Sequence, residues 1–175
     1  LCRERGVCVV IGYVEAAGHA LFNSALIIGP DGELIYNYRK RLLYELDEIW
    51  AEPGDLAYPL IHTPIGTVMV GICMDLNDWY FGAVLRHAQP DVIAFPTNWI
   101  HQGRDIRYYW RRRLRGVNGM LVAANTYGVE EGVEFLGSST ILDRGPRRRA
   151  LAMAGEMGDT VAIAEVRLPV EEVED

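Results

Sequence analysis

A layered α/β sandwich with mixed β-sheets is the fold class this sequence predicts, and three observations carry that expectation. Short β-branched runs recur along the chain, as strands require. Two helical stretches fall between strands in the segment 67–125, and glycine- and proline-rich turns separate the runs that flank it. A strand–helix–strand–helix–strand order implies right-handed crossovers within one sheet, and hairpins imply antiparallel additions.

The elements follow in order. Residues 1–6 (Leu-Cys-Arg-Glu-Arg-Gly) read as a helix end, with Gly6 as its stop. Residues 7–13 and 21–28 are apolar, β-branched runs and read as strands. Gly29-Pro30-Asp31-Gly32 is turn chemistry, so 21–28 and the following run 34–38 form a hairpin. Residues 39–55 mix charges and aromatics without periodicity and close on Pro53-Gly54-Asp55, a long surface loop with room for one helical turn. The continuous apolar run 67–73 suits a strand covered on both faces. Residues 79–88 form an amphipathic helix, 91–96 a strand, 106–119 a helix and 120–125 a strand, with further strands at 135–142 and 161–168. A single domain over residues 1–175 is expected.

Composition narrows the function classes. The 175 residues carry a formal net charge of −7, which argues against a nucleic-acid or anionic-membrane partner, because phosphate binding needs a clustered positive surface. The two basic clusters, Arg111-Arg112-Arg113 with Arg115 and Arg147-Arg148-Arg149, read as a solvated helix face and a charged turn. Three cysteines without CxxC spacing indicate neither a disulfide framework nor a zinc knuckle, and a reducing, cytoplasmic setting fits them. The longest apolar runs, about eight residues, fall short of the roughly 20 that a membrane helix needs. No metal or cofactor motif is present; the four histidines, His19, His62, His87 and His101, never fall at metal-ligand spacing.

Cys73 ends the apolar run 67–73 and precedes a polar break and then a helix, the arrangement that lifts a nucleophile onto a sharp turn at a sheet edge. Taken alone, a cysteine in an apolar strand is more often a packing residue. Nucleophilic work requires a base or cation nearby, because a free thiol is only a few per cent thiolate at neutral pH. No histidine sits in a base motif, which leaves a cation and a carboxylate. Lys40 leads the loop 39–55 in a chain whose positive charge is almost all arginine. A lone lysine is ordinarily a solvated surface group.

Several strings together carry more. Tyr38-Arg39-Lys40, Glu52-Pro53-Gly54-Asp55 and Gly71-Ile72-Cys73-Met74-Asp75-Leu76-Asn77 resemble the lysine and cysteine motifs of the nitrilase superfamily of carbon–nitrogen hydrolases, in order and in spacing. Asn23-Ser24-Ala25 and Pro30-Asp31-Gly32 upstream, and Pro96-Thr97-Asn98-Trp99, Ala123-Ala124-Asn125-Thr126-Tyr127-Gly128 and Phe135-Leu136-Gly137-Ser138-Ser139 downstream, resemble further signatures of that family. Gly-Ile-Cys-Met-Asp-Leu is similar to the branch containing protein N-terminal amidases, which deamidate N-terminal Asn and Gln.

This resemblance implies a nitrilase-like α-β-β-α sandwich and a Glu-Lys-Cys site that needs no cofactor. Cys73 would attack an amide, nitrile or carbamoyl carbon, Lys40 and the backbone N–H of Met74 would stabilise the oxyanion, and ammonia or an amine would leave. A second glutamate on the lysine loop is assigned to Glu48, with Glu45 next. Asn98 and Trp99, at a strand end beside the expected pocket, would shape the substrate subsite; a strand-end turn and a core tryptophan are the alternative. The family's general-base glutamate lies upstream of Leu1 and has no match here, Glu4 and Glu15 being misplaced, which implies an N-terminal part missing, about the first quarter. A degenerate relative serving as a binding module is the competing reading. The helix before 120–125 departs from the family's Arg-Ala-x-Glu-Asn, reading Arg113-Leu114-Arg115-Gly116-Val117-Asn118. The expected partners are a small amide or nitrile, or a peptide N-terminal Asn or Gln, and a second copy of the chain docked through the aromatic stretch 106–110.

Overall fold

One turn of helix, α1 (Cys2–Arg5), closes on left-handed Gly6 and leads into two successive hairpins. Strands β1 (Val9–Ala17), β2 (Ala20–Ile28) and β3 (Leu34–Arg39) form an antiparallel sheet. Gly18, at φ 63°, turns the first hairpin; the sequence marks this turn only with Gly-His, and the second carries the anticipated Gly-Pro-Asp-Gly. This computed structural model describes residues 1–55, 57–100, 102, 103 and 105–167.

Pairing of Gly12 with Ala25 and of Ala25 with Tyr38 sets these three on one face. Two-residue periodicity then carries that face onward from Tyr38 to Lys40. The opposite face holds a polar network in which Glu15 accepts hydrogen bonds from Ser24 (2.8 Å), Asn37 (2.9 Å) and Arg39 Nε (3.0 Å).

The larger sheet has six strands: β4 (Ile61–Thr63), β5 (Gly66–Val70), β6 (Val92–Thr97), β7 (Met120–Asn125), β10 (Thr140–Leu142) and β11 (Ala150–Met153). β5, β6 and β7 are parallel neighbours, while β4, β10 and β11 join antiparallel. Between β7 and β10, β8 (Tyr127–Glu130) and β9 (Val133–Leu136) make a separate two-stranded ribbon. The crossovers are α2 (Trp79–Ala88) and α3 (Ile106–Arg113). Two right-handed crossovers stepping the same way across a sheet place both helices on one face.

Adjacent residues of β6 illustrate the layering. Phe95 meets the α3 ring of Trp110 edge-on, with centroids 5.7 Å apart. Pro96 points the other way, where a Cβ built on Gly12 of β1 would lie 3.5 Å from it. The buried core runs through all three layers, from Ala25, Ile27 and Tyr38 through Met69, Ile93 and Phe95 to Phe81, Leu85 and Trp110. Each long helix begins on an aspartate cap, Asp78 accepting from Tyr80 N (2.8 Å) and Asp105 from Arg107 N (2.9 Å).

Several expected boundaries move. The run 67–73 is a paired strand only to Val70, and Cys73 starts a 3₁₀ turn over Cys73–Asn77. Helix 106–119 stops at Arg113 because Leu114 leaves helical geometry and Gly116 turns left-handed at φ 77°. The strand expected at 135–142 breaks at two consecutive left-handed residues, Gly137 (φ 65°) and Ser138 (φ 57°), so its halves join different sheets. Among the described residues no strand forms at 161–167, where Val161 and Ile163 are 83% and 80% exposed; position 168 lies outside the described residues.

The arginine clusters are less solvated than expected. Arg148 is buried and donates to the carbonyls of Gly119 (2.8 Å), Asp143 (3.3 Å) and Val117. Arg111 Nε donates to the Arg148 carbonyl at 2.8 Å. Of the aromatic stretch expected at an interface, Trp110 is fully buried and Tyr108 is the most exposed. No helix among the described residues is long and apolar enough to cross a membrane.

Candidate active site

Cys73 is a free, half-buried thiol with φ 45°, a left-handed backbone that is rare for a residue carrying a Cβ. Strain of that kind persists only where the surroundings enforce it, and here they do. Before the cysteine, a Cβ on Gly71 would fall 2.6 Å from Phe81 Cζ, so α2 can pack directly onto the strand end. After it, Asp75 N donates to the Ile72 carbonyl (3.0 Å), and the Asp75 carboxylate accepts from Ile72 N (2.8 Å). The turn is thus clamped across the cysteine from both sides.

That carboxylate is a hub. Fully buried Asp75 also accepts from Tyr38 Oη (2.7 Å), Tyr58 Oη (3.0 Å), Arg41 N (3.1 Å) and Leu42 N (2.9 Å). Burial raises its pKa, opposed by the hydrogen bonds from Leu42, Ile72 and Tyr38 and by the charge of Lys40. Tyr38 and Tyr58 are raised in turn, first by burial and then by the carboxylate. One buried group therefore fixes the start of the lysine loop against the cysteine turn.

Lys40 is the sole lysine of the sequence and is 2% exposed. Its backbone is held from both sides, since Lys40 N donates to the Asn23 carbonyl and its own carbonyl accepts from Gly54 N, each at 2.8 Å. Gly54 is required there, because a Cβ would collide with the Arg39 carbonyl. The ammonium pairs with Asp47, whose carboxylate also accepts from Asn23 Nδ2 (3.1 Å) and Tyr44 N (3.0 Å).

Asp47, not Glu48, is thus the loop carboxylate at the lysine. Both lie on the 3₁₀ turn Asp47–Ile49, in which neighbouring side chains diverge by about 120°. Asp47 takes the inward position; Glu48 and Glu45 are exposed and line no cavity described here.

Lys40, Asp47, Cys73, Thr97 and Asn98 line one cavity of about 580 Å³, together with Ile100 and Phe135. A second cavity of about 510 Å³ is lined by Met74, Asn77, Trp99, Tyr109 and Arg113. Tyr44, Cys73, Asn98 and Ile100 belong to both, so the thiol stands where the two meet. Of the residues expected to contact substrate, exposed Asn98 reaches both cavities, while Met74 and Trp99 line the second alone. Trp99 packs on Tyr109 and Trp110, with centroids 5.6 and 6.0 Å away. Arg113 is the arginine of its cluster that supports the turn, donating from Nε to the Leu76 carbonyl at 2.7 Å.

Sequence reasoning passed over Asp47, Asp75 and Arg113 as site residues. Asp75 stands inside the cysteine string, and an aspartate two residues beyond a buried strand's nucleophile is a capping signal. Nothing local distinguishes Asp47 from Glu48. Among the described residues no group of three His, Cys, Asp or Glu side chains is placed to hold a metal.

The chain is 34% identical over 174 residues to a nitrilase of Pyrococcus abyssi, covering 96% of this chain and 62% of that protein. It is 30% identical to an N-carbamoylputrescine amidase of Solanum tuberosum, over 96% of this chain and 62% of that one, and 26% identical to a protein N-terminal amidase of Schizosaccharomyces pombe, over 81% and 64%. It therefore spans a little over three-fifths of the length of these relatives. The solved amidase of Nesterenkonia sp. AN1 shares the nitrilase fold, with a TM-score of 0.78 at 21% identity over 89% of this chain and 61% of that one. Residues 1–172 match the family described as carbon–nitrogen hydrolase, and the chain belongs to that family.

Proposed function

We propose that this chain supplies the nucleophile and the oxyanion-stabilising groups for hydrolysis of a non-peptide carbon–nitrogen bond, with a primary amide as substrate. The observation that carries the reading is Cys73, held left-handed at a strand end and sharing a cavity with a buried lysine. Family membership supports amide or nitrile hydrolysis as the class of reaction.

The Cys73 sulfur attacks the carbonyl carbon, and the electron pair moves onto oxygen. The Lys40 ammonium and the N–H of Met74 receive the oxyanion; donors aimed in this way contribute about 10²–10³-fold each. The tetrahedral adduct collapses with loss of ammonia to a thioester, which water hydrolyses to the acid and the free thiol. Proton transfers to and from sulfur fall to the family's upstream glutamate, for which this sequence has no counterpart. Asp47 is the positioning residue, holding the ammonium at the cavity wall. A copy of the chain docked through the exposed side of α3, at Tyr108, and a cytoplasmic setting belong to the same reading.

The test is ammonia release from primary amides, nitriles and N-carbamoyl compounds by the full-length protein, with mass spectrometry for an acyl group on Cys73. Primary amides should give the largest kcat/KM, and Cys73→Ala should abolish both signals. Wild-type turnover by Cys73→Ala would overturn the proposal.

A further inference from the structure

The second cavity carries an electrostatic asymmetry that the hydrolytic scheme leaves unused. In the first cavity the charge of Lys40 is matched by Asp47. In the second, Arg113 is the one side chain with a formal charge among the described lining residues. Arg113 is half-buried, and its Nε is committed to the Leu76 carbonyl. Among the described residues its two Nη groups have no hydrogen-bond acceptor and no carboxylate partner.

A guanidinium is a planar fork of five donors that matches a carboxylate edge-on. The single Nε bond fixes the plane of this fork against the turn that begins at Cys73, so it is oriented relative to the sulfur before any ligand arrives. Trp99 and Tyr109 wall the same cavity, and Asn77 and Gln102 add neutral polar groups, an environment in which a methylene chain and a terminal anion are both accommodated. A cationic amine would meet Arg113 with no carboxylate to offset it.

The geometry points to a substrate that spans the meeting point of the two cavities: its amide carbon at Cys73 and, a few methylenes away, a carboxylate on Arg113. The substrate class is therefore the amide acids, compounds with an amide at one end and a carboxylate at the other. This inference rests on Cys73 as nucleophile, and its test separates the two ideas.

The test compares alkylation of Cys73 by N-chloroacetyl-β-alanine with alkylation by its neutral methylamide. In each case the sulfur displaces chloride from the same carbon and the thiol proton passes to buffer, so the reagents differ only in the remote carboxylate. Rates at Cys73, Cys2 and Cys8 are read by peptide mass spectrometry. The charged reagent should react about tenfold faster at Cys73 and not at the other two cysteines. The preference should fade with added salt, disappear in Arg113→Gln and survive in part in Arg113→Lys. Gln102→Glu, which leaves the Arg113–Leu76 bond untouched, should also reduce it.

A charged-to-neutral ratio near one in the wild type, or a ratio unchanged by Arg113→Gln and Gln102→Glu, overturns the subsite. Independently of thiol reactivity, glutarate should bind the Cys73→Ala chain, measured calorimetrically, and about tenfold more weakly when Arg113→Gln is added. Glutarate binding with an inert Cys73 keeps the subsite and removes the nucleophile; a reactive Cys73 with equal rates for both reagents and no glutarate binding does the reverse.

Discussion

The hydroxyl of Tyr38 donates to Asp75 across 2.7 Å, joining the strand that ends in Lys40 to the turn that begins at Cys73. The bond is buried, and both partners belong to motifs far apart in sequence. It makes the relative placement of cation and thiol a property of the core rather than of two independent loops. Tyr38→Phe leaves the ring in place and removes one donor from a buried carboxyl group, a loss of about 1–3 kcal/mol. Urea unfolding should register that loss together with slower alkylation of Cys73; an unchanged midpoint would show the bond to be dispensable.

Asp47 and Glu48 offer a paired test of which carboxylate serves the lysine. Asp47→Ala leaves the Lys40 ammonium buried without a partner, which costs about 3–5 kcal/mol. Glu48→Ala alters an exposed side chain and should stay within about 0.5 kcal/mol of wild type. Equal effects in a denaturant titration would argue against the assignment of the loop carboxylate to Asp47.

The backbone at Cys73 predicts an inversion of the usual glycine penalty. At φ 45° a Cβ is unfavourable, so Cys73→Gly should be more stable than Cys73→Ala by about 0.5–1 kcal/mol, after the greater flexibility of glycine in the unfolded chain is counted. Thermal unfolding of the two variants side by side decides it.

Gly71→Ala sets a methyl against the Phe81 ring. Overpacking of this kind costs about 1–3 kcal/mol, and Phe81→Leu in the same chain should recover part of it. A double-mutant cycle with no coupling between the two positions would contradict the contact.

Acid stability should depend on Glu15. The Arg39 guanidinium, first among its partners, holds this carboxyl at about 2 against an ordinary 4.5. A depressed folded-state pKa contributes stability that is full above 4.5 and lost as pH falls from there through 2. Glu15→Gln should therefore be less stable than wild type by about 1–3 kcal/mol at pH 6, with the gap shrinking below pH 4.5 and closing only as pH falls past 2. A gap that does not change with pH would exclude the ion pair as its origin.

Much of this was legible in the sequence because it is written in local chemistry. Gly29-Pro30-Asp31-Gly32 gave the β2–β3 hairpin, and the apolar runs around 67–73, 91–96 and 120–125 gave three parallel strands with helices between them. Strand ends were less legible, since Gly71 and Gly137 act through what packs against them, Phe81 in one case and the Glu156 backbone in the other. The same holds for the site. Cys73 and Lys40 were identified through neighbouring strings, whereas the selection of Asp47 over Glu48 depends on the phase of a single 3₁₀ turn. Asp75 gathers donors from residues 38, 41, 42, 58 and 72, a convergence that no window of sequence contains.

Gly54 has a consequence for how this scaffold can diversify. Because it ties back to Lys40 at the main chain, the loop between them leaves and returns at the same point. Within that loop Glu48 and Ile49 stand exposed and line neither cavity, so their composition can change while the ammonium at its root stays in register. Trp50, next on the same loop, does line the Lys40 cavity, so a change of side chain there would alter what the cavity admits and leave the reacting groups in place.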